Sequence, residues 1–337
     1  MEVARHERCD GWNGRSVDMA QREPRRGPAS GSESDGAAEP SARTPPLIGP
    51  VPAPDLHVMT WNIRRPVPAA LTRAADRWRH RAPRVRALLA SERPTVLCAQ
   101  EVVAEQIPTV LDGLGPGHDH VGRGRSADGG GEACPVFYDA TRLELLGWEQ
   151  SALSDTPHRA GSVSWGNLFP RVMVEVHLRD RITGHELLVV NTHLDPLSAR
   201  SRLRSARALL EVVAARGLPA VVTGDLNAGS SSPAVRVLLS DGTLVDSWRV
   251  ARARHSEQWG TYADYRRPRR DGARIDWILT TPDLTVTDAA INPLRHEGGW
   301  PSDHLAVHAV VHQTGPDDEA HNGLRGETRK EGGARRT

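Results

Sequence analysis

Short runs of apolar residues recur along the middle of the chain and alternate with polar stretches. They are rich in Val and Leu and are bounded by Gly, Pro, Asn or Asp, which is typical of strands buried in a large sheet. The pattern predicts eight strands, at residues 56–62, 95–100, 134–138, 171–178, 186–193, 219–224, 274–280 and 304–312.

Two segments show helical spacing instead. Residues 81–93 place Val85, Leu88 and Leu89 on one face, and residues 198–217 form an amphipathic pattern that ends at a glycine, which commonly stops a helix. Because strands alternate irregularly with helices and hairpins, we predict an α/β fold. Two mixed β-sheets would form a sandwich flanked by helices, in four layers, rather than one doubly wound parallel sheet.

The two ends of the chain lack this patterning. Residues 1–54 are rich in Pro, Gly, Ser, Ala and charged residues, and residues 314–337 have a similar composition. Segments of this kind do not bury enough apolar surface to fold alone. We therefore predict that both ends are disordered and that residues 55–313 form one domain.

Charge and cysteine content exclude several classes of protein. The formal net charge of the 337 residues is +1, so the overall charge does not indicate a nucleic-acid or membrane partner. The three cysteines are far apart and lack CxxC spacing, which argues against a disulfide framework or a cysteine zinc site. No run of about 18 apolar residues is present, so we predict no membrane span and a cytoplasmic location.

Polar side chains accompany six of the apolar strands, at or near their ends. Any one of them is most simply a turn or capping residue, but independent caps do not explain why carboxylates, amides and imidazoles gather at six strands. Side chains alternate along a strand, which predicts the face on which each polar group lies. The set comprises Asn62, Glu101, Asn191, His193, Asp195, Asp225, Asn227, Asp276, Asp303 and His304.

The alternation gives three specific expectations. Asn62 shares a face with Val58, and Glu101 is in register with Leu97 and Ala99. Asp225 and Asn227 lie on one face if the extended conformation continues beyond the strand. Together these side chains predict one polar site at an edge of the sheets.

The chain resembles the endonuclease/exonuclease/phosphatase superfamily in six short stretches that occur in the family's order. The resemblance covers residues 56 to 312, and LSDTP (153–157) with PRVMVEV (170–176) looks like the bacterial branch. The stretches are MTWNIR (59–64), QEV (100–102), NTHLD (191–195), TGDLNA (223–228), IDWILT (275–280) and PSDHLAV (301–307). The resemblance implies a deoxyribonuclease-like sandwich and Mg²⁺-dependent hydrolysis of a phosphoester, with Mn²⁺ as an alternative ion.

The family's roles can be carried over to matching residues of this chain. Glu101 resembles the principal metal ligand, with Asn62 beside it and Asp303 completing the metal site. Asp225 and Asn227 are similar to the pair that orients the attacking water and a phosphate oxygen.

The same resemblance gives roles to the two histidines. Asp276 would orient His304, which would contact the phosphate or act as the base. His193 would donate to the leaving group or bind phosphate.

Two further residues have weaker indications. Glu132 lies just before a strand, as the family's histidine-orienting carboxylate does, and would orient His193, or it would be an ordinary loop glutamate. Arg171 begins a strand and would clamp a phosphate, or it would be a surface charge.

The substrate stays open at the level of sequence. We expect a phosphodiester, with nucleic acid as one class. The arginine-rich residues 262–274, with Tyr262 and Tyr265, would suit nucleic acid, and four arginines lie near the predicted site loops, Arg64, Arg65, Arg123 and Arg125. The alternatives are a phosphomonoesterase acting on a sugar or inositol phosphate, or a catalytically silent binding protein with the same fold. The intact set of polar residues argues against a silent protein.

Overall fold

Two β-sheets lie face to face in the computed structural model, which describes residues 44–313. The predicted α/β sandwich is confirmed. The strands are Leu56–Asn62 (β1), Val96–Gln100 (β2), His118–Val121 (β3), Val136–Asp139 (β4), Leu143–Ala152 (β5), Val172–Asp180 (β6), Glu186–His193 (β7), Ala220–Asp225 (β8), Val245–Asp246 (β9), Ala253–Arg254 (β10), Asp276–Thr280 (β11), Leu284–Asn292 (β12) and Ala306–Gln313 (β13). The α-helices are Trp78–Glu92 (α1), Ile107–Leu114 (α2), Ala199–Arg216 (α3), Pro233–Leu238 (α4) and Ser247–Val250 (α5).

Both sheets are mixed, as predicted. The first sheet has seven strands in the order β10-β12-β13-β1-β2-β4-β3, and the second has six in the order β5-β6-β7-β8-β11-β9. In the first sheet β1 runs parallel to β2 and antiparallel to β13. In the second sheet β8 runs parallel to β7 and antiparallel to β11.

Three apolar clusters separate four layers of structure. Val58 of the first sheet and Val221 of the second belong to the cluster between the sheets. The next residue of β1, Met59, points the other way and packs with Leu89 of α1. Leu209 of α3 belongs to the cluster on the outer face of the second sheet. Within residues 44–313, no helix is both long enough and apolar enough to cross a membrane.

All eight predicted strands form, each within two residues of the predicted bounds. The prediction missed five strands, β3, β5, β9, β10 and β12. β5 is an edge strand of its sheet, and much of it is partly exposed, so it lacks the continuous apolar run by which buried strands are recognised. The helix α2 was also missed, because a proline and a glycine lie within its eight residues.

A described segment precedes the predicted start of the domain. Residues 44–54 are described, although they fall in the segment that we expected to be disordered. The backbone amides of Leu47, Ile48 and Gly49 donate to the Glu92 carboxylate over 2.9–3.2 Å. A carboxylate that accepts several backbone hydrogen bonds holds a segment that has little apolar surface of its own. The rest of the two ends, residues 1–43 and 314–337, lies outside the described residues.

A buried histidine pair lies beneath this N-terminal segment. His57 Nδ1 is 2.8 Å from the Gly49 carbonyl and therefore donates to it, and His57 Nε2 is 3.0 Å from His308 Nδ1. His57 Nε2 must then accept, so His308 carries its proton on Nδ1 and leaves a bare, buried Nε2. Groups of His57, Glu92 and His308 also lie within 4.8 Å of one another. Four donors already occupy the Glu92 oxygens, so this cluster is a hydrogen-bond network and not a metal site.

We expect this histidine pair to make the stability of the domain depend on pH. Burial lowers the pKa of both His57 and His308, and the charge of His308 lowers that of His57 further. The neighbouring Glu92 raises both pKa values but does not outweigh burial. Their unfolded pKa is about 6.5, so below it the unfolded state takes up more protons than the folded state. The free energy of unfolding should therefore fall as the pH drops from about 7 towards 4.5.

Urea unfolding at several pH values measures this slope. A His308→Leu variant should lose less stability between pH 7 and pH 5 than the wild type. His158→Gln, at a side chain that is 86% exposed, is the control and should keep the wild-type slope. Equal slopes in all three proteins would contradict the assignment.

Candidate active site

The polar site lies at one end of the sandwich, where the space between the two sheets opens. Along β1, β7 and β8 the side chains that face this interior are apolar until the last one or two positions. β11 runs antiparallel to β8, so its polar residue, Asp276, is the first of the strand. In the second sheet Asp225 is paired in register with His193 on one side and with Asp276 on the other. Asn62 ends β1 in the first sheet, on the same face as Val58, as the alternation predicted.

Asp225 is the centre of this group. Its Oδ2 accepts a hydrogen bond from Asn62 Nδ2 at 3.1 Å, and it lies 3.6 Å from His193 Nε2 and 3.8 Å from His304 Nε2. Burial and the neighbouring Asp276 raise the pKa of Asp225, although the two histidines act in the opposite direction. A buried carboxylate with a raised pKa is suited to accept a proton.

His304 is held by Asp276, as the resemblance implied. His304 Nδ1 lies 2.9 Å from Asp276 Oδ2, and the ring of Tyr262 meets the imidazole edge-on at 5.1 Å. Burial alone would lower the pKa of His304, but the charges of Asp276 and Asp225 outweigh it and raise the pKa to about 10. The raised pKa favours the protonated imidazole at neutral pH, which suits a contact with phosphate, and the role of His304 stays a prediction.

Asn227 does not continue the strand as we expected. Its backbone is left-handed, with φ of 48°, and its N–H donates to Asp225 Oδ1 at 2.9 Å in a tight turn. The side chain turns back and donates to the Leu194 carbonyl at 3.0 Å. Asn227 therefore reaches the cleft through a turn, because Asp225 captures the amide two residues later.

Glu101 also reaches the site against the predicted alternation. Leu97 and Ala99 face the outer helices, so an extended Glu101 would have pointed there. Its φ of 57° is left-handed instead, which turns the carboxylate towards Asn62 Nδ2 at 3.1 Å. Burial would raise the pKa of Glu101, but His193, the bond from Asn62 and the charge of Arg64 lower it to about 2. The carboxylate is therefore ionised at any physiological pH.

Asn62 is oriented differently from the metal ligand that the sequence suggested. Its Oδ1 accepts from the Arg64 backbone N–H at 3.0 Å, while its Nδ2 donates to both Glu101 and Asp225. Two carboxylates require a donor, so this network fixes the orientation of the amide. Asn62 here links the carboxylates, and its role as a ligand stays a prediction.

Asp303 lies beside Glu101 with a guanidinium between them. Arg64 Nε is 3.6 Å from Asp303 Oδ2, and Arg64 Nη1 is 3.7 Å from Glu101 Oε2. Burial raises the pKa of Asp303. The carboxylate oxygens of Glu101 and Asp303 already face a positive charge, and hard oxygen donors of this kind suit Mg²⁺ or Mn²⁺. The donor set therefore fits a divalent cation.

The expected pair of Glu132 and His193 is not formed. Glu132 instead binds two guanidinium groups, from Arg65 and Arg125, each at 3.0 Å. Two positive partners hold this carboxylate more strongly than one neutral imidazole, which explains the difference. His193 lies against Asp225, and burial lowers its pKa. Arg171 is buried and pairs with Asp195 at 3.4 Å, so it is not a surface charge.

These side chains line a cleft of about 420 Å³. Arg64, Arg65, Arg125 and Tyr262, which the sequence had indicated only as neighbours of the site, are among the lining residues, whereas Arg123 is exposed on the ring of Trp148. Three further lining residues had no sequence signal, and they are exposed at the cleft: Leu168, Phe169 and Leu197. Exposed apolar residues outside any periodic element carry no pattern from which a role is predicted.

One buried arginine positions the loops around the cleft. The Arg81 side chain is fully buried, and its guanidinium donates to the carbonyls of Ile63, Arg64 and Asp76 at 2.7–3.0 Å. A longer bond of 3.4 Å reaches the Pro301 carbonyl, in the loop before Asp303 and His304. Arg81 therefore joins the loop after β1 to the loop before β13. No sequence signal distinguished this arginine from its neighbours on α1.

Comparisons with known proteins agree with this geometry. Residues 59–304 match the model of the endonuclease/exonuclease/phosphatase family. A member of that family from Bacteroides vulgatus is 28% identical, with a TM-score of 0.71, over 77% of this chain and 99% of that one. The mannosyl-6-phosphatase Bt3783 of Bacteroides thetaiotaomicron is 26% identical, with a TM-score of 0.71, over 76% and 99%.

A more distant structure shows the fold alone. The human nocturnin catalytic domain is 20% identical, with a TM-score of 0.60, over 80% of this chain and all of that one. The search among curated proteins gives no match.

The protein is a hydrolase that acts on phosphoester bonds, as its two-sheet sandwich and the polar cluster at one end indicate. The chain belongs to the endonuclease/exonuclease/phosphatase family. Enzymes of this family generally depend on a divalent metal ion, which agrees with the oxygen donors found here.

We expect Arg81→Met to destabilise the protein and to disorder the cleft. The substitution removes the donor for three short bonds and leaves buried carbonyl groups without partners, which should lower the free energy of unfolding by about 2–4 kcal/mol. Urea denaturation measures the change. Arg86→Met, on the same helix but half exposed and paired with Asp112, is the control and should have a small effect. Similar losses in both variants would contradict the assignment.

Proposed function

We propose that the protein is an Mg²⁺-dependent phosphoesterase that cleaves a small phosphoester by direct attack of water. The observation that carries this proposal is the convergence of ionised Glu101, a buried Asp225 and the His304–Asp276 pair on one cleft. A phosphoester anion repels a nucleophile, so its hydrolysis needs positive charge, an oriented water and a stabilised leaving group. The cleft supplies residues for each of these tasks.

Glu101 and Asp303 are the residues that would hold the cation, with Asn62 supporting Glu101. When bound, Mg²⁺ supplies the positive charge that polarises a phosphoryl oxygen, and Mn²⁺ is an alternative. The low pKa of Glu101 keeps its carboxylate available. Arg64 adds a second positive charge on the same side of the cleft.

Asp225 orients the attacking water and accepts its proton. The raised pKa of this carboxylate makes it a better base than an exposed aspartate. Asn227 fixes the turn that follows, since its amide binds Asp225 Oδ1 and its side chain binds the Leu194 carbonyl. These bonds restrict the orientation of the Asp225 side chain before substrate binds.

The two histidines have different charges and therefore different roles. His304 is cationic, and with Nδ1 bound to Asp276 it presents Nε2–H to a phosphoryl oxygen. His193 has a lowered pKa and is neutral at pH 7, so it binds the leaving-group side of the ester through a hydrogen bond. Both rings lie within 4 Å of Asp225, which supports a position of the phosphorus close to this carboxylate.

A phosphomonoester of a small molecule is the substrate that the cleft supports best. Its volume of about 420 Å³ suits a small ligand, and its arginines suit the two negative charges of a terminal phosphate. The relative that is 26% identical is named as a mannosyl-6-phosphatase, which favours a sugar phosphate.

A phosphodiester, which the sequence put first, is the second candidate. Tyr262 is half exposed beside His304 and offers a stacking face for a base. The arginines of the neighbouring loop give less support to nucleic acid, because Arg266, Arg269 and Arg270 each lie near an acidic partner. Paired arginines attract a polyanion less strongly than free ones.

Hydrolysis assays with p-nitrophenyl phosphate, bis-p-nitrophenyl phosphate, mannose 6-phosphate and single-stranded DNA test this function. We expect Mg²⁺-dependent hydrolysis that EDTA abolishes, with the monoesters preferred. Asp225→Asn and His304→Gln should each lower kcat by about 10²–10⁴-fold, because each removes a group that acts on the reacting atoms. Preference for the diester or for DNA would establish the second candidate.

Two exposed positions give matched controls for these variants. Asp119→Asn and His158→Gln make the same chemical changes at side chains that are 66% and 86% exposed. They should retain wild-type kcat. Full activity in EDTA, or in the Asp225 and His304 variants, would contradict the proposal.

A further inference from the structure

One wall of the cleft carries more positive charge than the reaction requires. Arg125 Nη1 lies 3.0 Å from Glu132 Oε2, and Arg65 Nε lies 3.0 Å from Glu132 Oε1. Arg171 lies beside them, paired with Asp195 at 3.4 Å. Three guanidinium groups therefore share two carboxylates, which leaves one net positive charge. We call this group of five side chains the arginine wall.

The pairing within the arginine wall is incomplete. Arg171 is only 5% exposed, yet its Nη1 is buried and has no hydrogen-bond partner among the described residues. Arg125 is partly buried as well, and burial together with the charge of Arg171 lowers its pKa. Buried guanidinium donors without partners are costly, and an anion in the cleft would relieve that cost.

The strand order sets the distance of Arg171 from Asp225. Asp276, Asp225 and His193 lie on successive strands β11, β8 and β7 in direct register, and Arg171 directly precedes β6, the next strand. Neighbouring strands are about 4.8 Å apart, so the backbone of Arg171 lies roughly 10 Å from that of Asp225. Arg125 and Glu132 line one recess with Arg171, and Glu101 and His193 border the same recess.

We propose that the arginine wall binds a second anionic group of the substrate, a phosphate or a carboxylate, one sugar-sized unit away from the phosphate that is hydrolysed. This inference rests on the proposed function, since it extends the same cleft. Guanidinium forks bind the planar or tetrahedral oxygens of such groups in pairs. Phe169 packs on Arg125 at 5.5 Å and limits its movement, so that the fork faces the cleft.

Binding to the full chain tests this subsite separately from turnover. The Asp225→Asn protein in Mg²⁺ buffer is titrated by calorimetry with fructose 6-phosphate, fructose 1,6-bisphosphate and 6-phosphogluconate. We expect at least one doubly anionic ligand to bind about tenfold more tightly than fructose 6-phosphate. The bisphosphate and the phosphogluconate distinguish a phosphate from a carboxylate as the second group. Equal affinity for all three would overturn the proposal.

Substitutions then test which arginine causes the preference for a doubly anionic ligand. Arg125→Gln in the Asp225→Asn protein should reduce the ratio of affinities for the doubly and singly anionic ligands to about twofold or less. Arg125→Lys should retain part of this ratio because the charge remains. Arg123→Gln, two residues away but exposed on Trp148, is the matched control and should keep the preference. If Arg125→Gln fails to fold, Arg65→Gln gives the same test, since its side chain is 45% exposed.

The outcomes separate this inference from the proposed function. Loss of the preference in Arg123→Gln as well would mean general electrostatic attraction and would overturn the subsite. Hydrolysis of simple esters without any preference for a second anion would support the proposed function and reject the subsite. Tight, Arg125-dependent binding of the bisphosphate in a protein that hydrolyses no ester would support the subsite and reject the proposed function.

Discussion

Polar contacts that cross from one β-sheet to the other are the constraint on which the active end of this protein depends. Asn62 of the first sheet donates to Asp225 of the second, and Gln100 of the first donates to Asn191 of the second at 2.7 Å. Elsewhere the space between the sheets is filled by apolar side chains, whose packing has no strong directional preference. Buried amides and carboxylates do have directional requirements, since each must find a partner. They therefore fix how the two sheets meet at the cleft.

The same end of the molecule contains several left-handed residues other than glycine. Glu101, Asn227 and Arg64 have φ of 57°, 48° and 59°, a conformation that is unfavourable for residues with a Cβ atom. Each is held by local bonds, such as that from the Asn227 amide to Asp225 and that from Arg81 to the Arg64 carbonyl. At Glu101 and Asn227 the left-handed backbone lies where a side chain leaves the strand geometry to reach the cleft.

Charge is distributed unevenly around the cleft, and this distribution shapes its chemistry. Carboxylates dominate the side formed by Glu101 and Asp303, where a cation belongs, whereas guanidinium groups dominate the side formed by Arg125 and Arg171. His304 and His193, which line the same cleft, have opposite shifts in pKa. Under the proposed function, an anionic ester meets the cation with its reacting end and guanidinium donors with its other end. That polarity gives the substrate one preferred direction of entry.

The sequence alone determined eight strands, the sandwich and most of the polar set, because apolar runs and side-chain alternation are local properties that survive in the fold. The tertiary structure decided which way the polar groups point. Glu101 and Asn227 leave the strand geometry through left-handed turns, and Glu132 binds Arg65 and Arg125 in place of His193. Arg81, Phe169 and the segment before residue 55 gave no signal, since their importance comes from partners far away in the chain. A long-range contact of this kind depends on how the layers pack, and a local sequence pattern does not predict it.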